Sequence, residues 1–196
     1  MAYQVIDLNC PGCGGGVSTS QKQCTFCGRP IVITSFSDIN STFNWNKYKS
    51  ENNKALSEHP DNDALNMSQA MSFLKLRFYD DALEYFKKAL VSEMPETFYY
   101  MAICLLKGKK AFVANRKEQI DIIVEKLEGA IMIDPKGIYY YFLAYIKYDY
   151  FERKYLNITP NWEETLQTAI QTGVSSTDVT QLFEMLQVEM PECLKV

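Results

Sequence analysis

Two closely spaced pairs of cysteines near the N-terminus constrain the fold of this chain more than any other feature. Both pairs have two residues between the cysteines and a glycine directly after them, in the order Cys10-Pro-Gly-Cys13-Gly14 and Cys24-Thr-Phe-Cys27-Gly28. Two intervening residues allow both sulfurs to reach one ion, and a glycine with positive φ lets backbone N–H groups point toward the thiolates. Four thiolates fill a tetrahedral shell and leave no position for water or substrate. The spacing therefore predicts a structural metal site.

Residues 1–35 resemble the zinc-ribbon family, in the version whose two metal-binding turns both read Cys-x-x-Cys-Gly. The resemblance implies a small β fold around one structural Zn²⁺, bound by Cys10, Cys13, Cys24 and Cys27. Tyr3–Leu8 and Pro30–Thr34 read as short strands, whereas Gly14–Gly16 and Ser18–Ser20 read as turns. An iron centre of the rubredoxin type would use the same four ligands, and two disulfides would also fit the spacing, so these alternatives stay open.

The cysteine usage and the lack of a recognisable targeting signal indicate a reducing compartment. The first residues contain neither a basic start nor a long apolar run, so no signal peptide is predicted. Nowhere do about eighteen apolar residues follow one another, so no membrane-spanning helix is predicted either. Clustered cysteines without an export signal favour metal thiolates over disulfides. We therefore expect a cytoplasmic protein.

From residue 42 onward the hydrophobic pattern becomes helical, with a longer repeat superimposed on it. Ala55 and Ala89 lie 34 residues apart, and each is followed within six residues by a proline, Pro60 or Pro95. The clearest unit, Asp63–Met94, reads as two helices in which small alanines allow close approach. It resembles the tetratricopeptide family, whose repeats are about 34 residues long and pair two helices. The resemblance implies a stacked array that binds other proteins.

Further helices complete the predicted array. In chain order they are a half-repeat at Phe43–Ser57, a second pair at Pro95–Leu106 and Ile120–Ile133, a third pair at Ile138–Tyr150 and Asn161–Thr172, and a final helix capped by Ser176 or Thr177. The second pair carries an insertion near Lys107–Gln119. We predict a mainly α protein with a zinc ribbon at residues 1–35 and a linker at 36–41. Residues 42–196 would form a tetratricopeptide-like solenoid of about three helix pairs with a C-terminal capping helix.

The first helix of each predicted pair carries an apolar or aromatic stripe. In stacked repeats these helices line the concave face, so the stripes would form a groove for a partner's helix or extended peptide. The stripe residues are Met67, Met71, Leu74, Tyr99, Ile103, Leu106, Tyr141, Tyr145 and Tyr148. The alternative is that the stripes belong to the core and are already covered by a flanking helix, such as the C-terminal one.

The insertion in the second pair carries a local excess of positive charge, although the formal net charge of the chain is −4. Residues 107–117 contain five cations and no carboxylate: Lys107, Lys109, Lys110, Arg116 and Lys117. Such a segment suits an acidic protein segment or phosphates, and a solvated loop is the alternative. The acidic balance of the whole chain disfavours a general nucleic-acid binder.

Catalytic groups do not converge in this sequence. His59 is the only histidine and precedes Pro60 at a predicted helix end, which is a poor place for acid–base chemistry. Cys104 lies inside an apolar helix, and Cys193 lies in the tail without an activating neighbour. No glycine-rich phosphate loop follows a strand, because Gly12–Gly16 belongs to the metal-binding turn. We therefore predict no enzymatic activity.

The leading hypothesis is a non-enzymatic adaptor or scaffold whose helical-repeat groove binds a peptide or helix of a partner protein. The alternative from another class is a nucleic-acid-binding module that uses the zinc ribbon and the basic 107–117 segment. A third hypothesis is a redox or metal-sensing switch, in which oxidation releases the metal and changes partner binding.

Overall fold

The computed structural model describes residues 5–35, 43–89 and 94–195, and the chain divides into two compact units. The first unit comprises Met1–Ser92 and the second Glu93–Val196. The described residues form eight α-helices and one small two-stranded sheet, which confirms the predicted mainly α fold class. The predicted linker at 36–41 lies outside the described residues. Within the described segments, no helix has both the length and the apolar composition that crossing a membrane requires.

The sheet consists of two short antiparallel strands, β1 (Asp7–Asn9) and β2 (Gly16–Ser18), with Leu8 opposite Val17. The sequence predicts turns at Gly14–Gly16 and Ser18–Ser20, but this is wrong at Gly16 and Ser18, which belong to β2. After the first cysteine pair, the chain runs back along β1 and pairs with it, which buries the Val17 side chain. The local glycine and serine content suggested a turn, but strand pairing and burial decide the outcome.

The segment Pro30–Thr34 is not a strand, although its β-branched residues predict one. It forms a single bridge, between Pro30 and Gln23, and then bends. Its apolar side chains Ile31 and Ile33 are fully buried. The backbone N–H of Ile33 donates to the hydroxyl of Ser68 in a helix rather than to a neighbouring strand. Helix packing therefore replaces strand pairing in this segment.

Three helices complete the described part of the first unit: α1 (Trp45–Glu58), α2 (Asp63–Lys75) and α3 (Tyr79–Lys88). Asparagine side chains cap the first two helices at their N-termini, as their oxygens accept hydrogen bonds from backbone N–H groups in the first turn. The second helix packs against both α1 and α3. Because it has neighbours on two sides, every side chain from Leu65 to Ser72 is buried.

The second unit contains five α-helices joined by irregular segments. They are α4 (Pro95–Leu106), α5 (Lys117–Ile133), α6 (Gly137–Ile146), α7 (Trp162–Gln171) and α8 (Ser176–Leu186). A 3-10 turn at Ala111–Val113 lies in the predicted insertion, and a π-helical turn at Lys147–Phe151 directly continues α6. The side chain of Asn161 caps α7 and that of Ser175 caps α8, so the cap predicted at Ser176 or Thr177 is wrong by one or two residues.

Helices that follow one another in the chain pack side by side in the second unit: α4 with α5, α5 with α6, and α6 with α7. This order of packing fits a helical-repeat arrangement. The last helix differs, because α8 packs against both α4 and α6. These two are the first helices of the predicted second and third pairs, so α8 covers two of the three helices that the sequence assigned to the concave face.

Candidate functional site

The four paired cysteines form one compact cluster. Their Sγ atoms all lie within 4.8 Å of one another, and the Cys10–Cys27 and Cys13–Cys24 sulfur pairs are each 3.7 Å apart. Four ligands at about 2.3 Å from a central ion, in tetrahedral geometry, are separated by about 3.8 Å. No disulfide joins any of the six cysteines. The cluster therefore matches the dimensions of a site that could hold one metal ion.

The two metal-binding turns have the same backbone structure, displaced by fourteen residues. In the first turn, the N–H of Gly12 donates to Cys10 Sγ (3.3 Å) and the N–H of Gly14 donates to the Cys10 carbonyl (2.9 Å). In the second turn, the Phe26 N–H donates to Cys24 Sγ (3.4 Å) and the Gly28 N–H to the Cys24 carbonyl (2.8 Å). The sequence repeat therefore corresponds to a structural repeat.

The glycines after the cysteine pairs have the conformation that the sequence predicts. Gly14 has φ of 86° and Gly28 has φ of 69°, in the left-handed region that glycine adopts without strain. These values let the chain turn back after each pair and direct N–H groups toward the sulfurs. The donors stabilise thiolates, which are the forms that bind metal ions.

Burial and hydrogen bonding shift the pKa values of Cys24 and Cys27 in opposite directions. Burial raises the pKa of Cys24, but the backbone N–H donors of Phe26 and Cys27 and the neighbouring thiols outweigh it and lower the pKa to about 7. The Arg29 N–H lowers the pKa of Cys27, whereas burial and the neighbouring sulfurs raise it to about 12. A bound cation would take the place of the remaining thiol protons.

The metal-binding turns are attached directly to α1. The Lys47 ammonium donates to the carbonyl of Gly12 in the first turn (3.1 Å), and the Tyr48 hydroxyl donates to the carbonyl of Pro30 after the second (2.8 Å). Tyr48 is fully buried. The N-terminal segment and the first helices therefore form one packed unit around the cysteine cluster, which the cysteine spacing alone did not indicate.

A Tyr48→Phe variant tests this attachment. The variant keeps the aromatic ring but leaves the Pro30 carbonyl without its hydroxyl donor, so we expect a loss of about 1–2 kcal/mol in the free energy of unfolding. Urea denaturation followed by tryptophan fluorescence measures the change. Tyr155→Phe is the matched control, since Tyr155 is 96% exposed and should change the unfolding free energy by less than about 0.5 kcal/mol. Equal effects of the two variants would contradict the attachment.

The apolar stripe residues lie in the interior of the two units. In the first unit, α2 is packed on two sides, and its stripe is buried. In the second, α8 and the C-terminal tail cover the stripes: Phe183 packs edge-on against the Tyr145 ring, and the Tyr141 hydroxyl donates to the Leu194 carbonyl (2.6 Å). The buried stripe residues are Met67, Met71, Leu74, Tyr99, Ile103, Leu106, Tyr141 and Tyr145. Tyr148 is half-buried against Trp162.

The burial of these side chains agrees with the alternative that the stripes belong to the core. The stripes are apolar because they pack against neighbouring helices, and in the second unit the final helix packs on the two helices that carry them. The eight buried stripe residues therefore belong to the core, which corrects the prediction that they line an exposed peptide groove.

The basic segment 107–117 is exposed and anchored at its centre. The N–H of Phe112 donates to the buried carboxylate of Asp149 (2.9 Å), and the Arg153 guanidinium, which pairs with the same carboxylate, lies 4.2 Å from the centre of the Phe112 ring. The Lys154 ammonium donates to the carbonyl of Ala114 (2.8 Å). The segment is therefore held against the turns that follow α6.

The cations of this segment lie at the surface of the second unit. The side chains of Lys107, Lys109, Lys110, Arg116 and Lys117 are all exposed. Lys117 forms an ion pair with Asp121 one helical turn later (3.0 Å). We define the basic surface as Lys109, Lys110, Phe112, Arg116, Arg153 and Lys154. The sequence pattern did not identify Arg153 and Lys154 as part of this surface, because they lie about forty residues after Phe112 in the chain.

Sequence reasoning also missed Lys147, which is 3% exposed and lies beside a cavity between helices. The available signal was its position as the single charged residue of the apolar and aromatic run Ile138–Tyr148.

No protein-family model matches this chain, and a search of curated proteins finds no significant match.

Proposed function

We propose that this protein is a non-enzymatic adaptor, in which a zinc-bound N-terminal segment has a structural role and the basic surface of the second unit binds an acidic segment of a partner protein. We further propose that the helices derive from tetratricopeptide-like repeats. The observation that carries the proposal is the exposed, anchored cluster of cations around Phe112 in a chain with a net charge of −4.

The donor set of the cysteine cluster supports zinc in a structural role. Thiolates favour soft or borderline ions, and a four-thiolate shell leaves no coordination position for a substrate. The thiolate-stabilising N–H donors of Gly12 and Phe26 occur at equivalent positions in the two turns. The contacts of Lys47 and Tyr48 with the turns support the role that we assign to the metal, which is to stabilise the first unit.

The basic surface combines charge with a preorganised aromatic side chain. Phe112 is 36% exposed, and the cations of Arg153 and Lys154 lie 4.2 and 5.4 Å from the centre of its ring. Next to Phe112 in the chain, Val113 is 53% exposed. A partner segment that alternates carboxylates with apolar side chains would complement both features.

Charge reversal tests the binding of an acidic segment. The probe is a fluorescein-labelled peptide of twelve residues in which six Glu alternate with six Leu or Ala. We expect saturable binding in fluorescence anisotropy that weakens with added salt, and at least about a tenfold loss of affinity in a Lys109→Glu/Lys110→Glu variant. A peptide with Gln in place of Glu should not bind.

The matched control is Lys54→Glu/Lys87→Glu, which makes the same change in net charge at two exposed lysines of α1 and α3. We expect this variant to bind the acidic peptide almost as tightly as the unmodified protein. Equal losses in the two variants would show that only net charge matters and would contradict the proposal. Tighter binding of a single-stranded oligonucleotide than of the peptide would favour the nucleic-acid alternative instead.

A further inference from the structure

A second candidate site lies in the second unit, and its lining includes none of the basic surface residues. An open pocket of about 400 Å³ lies between α5, α6 and α7, and Met132 at its rim is 86% exposed. Its walls include Ile131 and Met132 of α5, Tyr140 and Leu143 of α6, and Thr168 of α7. These side chains are mostly apolar, and the volume suits a small organic molecule.

One wall of this cavity contains Lys147, the first residue of the π-helical turn after α6. Single π-helical turns occur often at functional sites, because they shift side chains from their α-helical positions. Lys147 is only 3% exposed. Within the described part of the chain, no carboxylate lies at ion-pair distance from its nitrogen. A buried lysine without an ionic partner is rare and requires an explanation.

The hydrogen-bond partners of Lys147 match an uncharged amine. Its Nζ donates to the carbonyl of Pro160 (2.8 Å) and to the hydroxyl oxygen of Thr165 (3.0 Å). The Thr165 hydroxyl donates its own proton to the Asn161 carbonyl (2.6 Å), so toward Lys147 it acts as an acceptor. A neutral amine has two N–H donors and one lone pair, whereas an ammonium has three donors. Both donors of a neutral amine are therefore satisfied here.

Burial also favours the uncharged form. It lowers the pKa of Lys147, and the more distant carboxylates of Glu128 and Glu164 only partly oppose this effect. A desolvated lysine in an apolar pocket is a nucleophile that forms imines with carbonyl compounds. Glu128 also lines the cavity. Its carboxylate would repel an anionic ligand, so the walls favour an uncharged molecule.

We infer that Lys147 binds a small, apolar, uncharged aldehyde as a reversible imine inside this cavity. This inference goes beyond the proposed function, because it adds a small-molecule site to a chain that we propose binds a protein. The apolar part of the ligand would contact Ile131, Met132 and Leu143, and its carbonyl carbon would bond to Lys147 Nζ.

The bond formation is balanced without any oxidant or reductant. The nitrogen lone pair attacks the carbonyl carbon, and one proton moves from the nitrogen to the carbonyl oxygen, which gives a carbinolamine. The C–O bond then breaks, and the oxygen leaves as water with both former amine hydrogens, which gives a neutral imine. Uptake of one proton from solvent converts it to an iminium ion. That ion keeps one N–H for the Pro160 carbonyl, and the carboxylates of Glu128 and Glu164 stabilise its positive charge.

Reductive trapping tests the inference on the whole chain. The protein is incubated with limiting hexanal and sodium cyanoborohydride near neutral pH, and labelled lysines are located by peptide mass spectrometry. We expect saturable labelling of Lys147 at a rate at least about tenfold above that of an exposed lysine such as Lys87, because a pocket that holds the aldehyde beside the amine makes the reaction effectively intramolecular. Labelling of Lys147 no faster than that of Lys87 overturns the inference.

Two further arms separate cavity binding from simple reactivity. A Thr168→Phe variant fills the cavity from its rim and leaves the amine in place, so it should slow labelling at Lys147 at least about fivefold and leave Lys87 unchanged. Circular dichroism confirms that the variant folds. Unchanged labelling of Lys147 in a folded variant overturns the cavity assignment. Protection of Lys147 by hexanoate, without reaction with hexanal, would indicate an ammonium–carboxylate site and would also overturn it.

Discussion

Replacing Cys24 with serine is expected to release the metal and unfold the N-terminal segment of the first unit. The small cluster of buried side chains around the cysteines, which includes Val17 and Ile31, is too small to fold the segment without an ion. Binding of a structural zinc ion contributes about 10–16 kcal/mol in small zinc domains, which far exceeds what such a cluster provides. Amide resonances of residues 5–35 in a ¹⁵N-labelled sample should collapse to the unfolded region of the spectrum.

The control for this prediction is Cys193→Ser, because Cys193 is exposed and does not belong to the cluster. It should leave both the metal content and the spectrum unchanged. A Cys24→Ser protein that keeps the dispersed resonances of residues 5–35 would show that packing, rather than the metal, determines the structure of this segment.

The loss of the metal should also affect α1. Tyr48 of α1 donates a hydrogen bond to the Pro30 carbonyl, and Lys47 of α1 donates one to the Gly12 carbonyl. Ile6 also packs in one buried cluster with Leu56 of α1 and Leu65 of α2. When the N-terminal segment unfolds, these partners are lost together. We therefore expect faster amide exchange in α1 of the Cys24→Ser protein, in addition to the unfolding of residues 5–35.

The second large effect is expected at Gly137, the first residue of α6. A Cβ atom there would lie 2.5 Å from the backbone nitrogen of Val174 and 2.9 Å from the carbonyl oxygen of Ala169. Both neighbours are backbone atoms near the end of α7, so a Gly137→Ala protein must displace one helix relative to the other. We expect a loss of about 3 kcal/mol in the free energy of unfolding, measured by urea denaturation.

Gly129 provides the matched substitution within α5. A Cβ there would meet only a ring carbon of Phe98, at 3.9 Å, which is ordinary van der Waals contact. Gly129→Ala should therefore stabilise the protein by about 0.5–1 kcal/mol, as expected for this exchange inside a helix. The two substitutions are chemically identical and have opposite predicted signs. Stabilisation of both proteins would contradict the close packing of α6 against the end of α7.

The elements that the sequence predicts well are those determined by local chemistry. The bounds of α4 match the prediction at Pro95 and Leu106, because proline favours the first turn of a helix and the apolar face is continuous. The metal-binding turns match as well, since the spacing of the cysteines and the following glycines leave few conformations. In both cases, residues close together in the chain specify the structure.

The features that the sequence did not predict depend on contacts between distant residues. The anchoring of Phe112 requires Asp149 and Arg153, and the burial of Tyr141 and Tyr145 requires α8 and the tail. An apolar stripe has the same pattern whether it faces a partner or the protein's own last helix. The sequence therefore identified the stripes and offered the C-terminal helix as one alternative cover, but the pattern did not decide between that helix and a partner protein.

The most direct test of the central claim, that one zinc ion bound by four thiolates organises the N-terminal segment, is native mass spectrometry of the purified chain combined with elemental analysis. We predict one zinc ion per chain and four cysteines that become reactive toward a thiol reagent only after the metal is removed. A metal-free chain in which residues 5–35 remain folded, or a chain with iron in place of zinc, would contradict the claim.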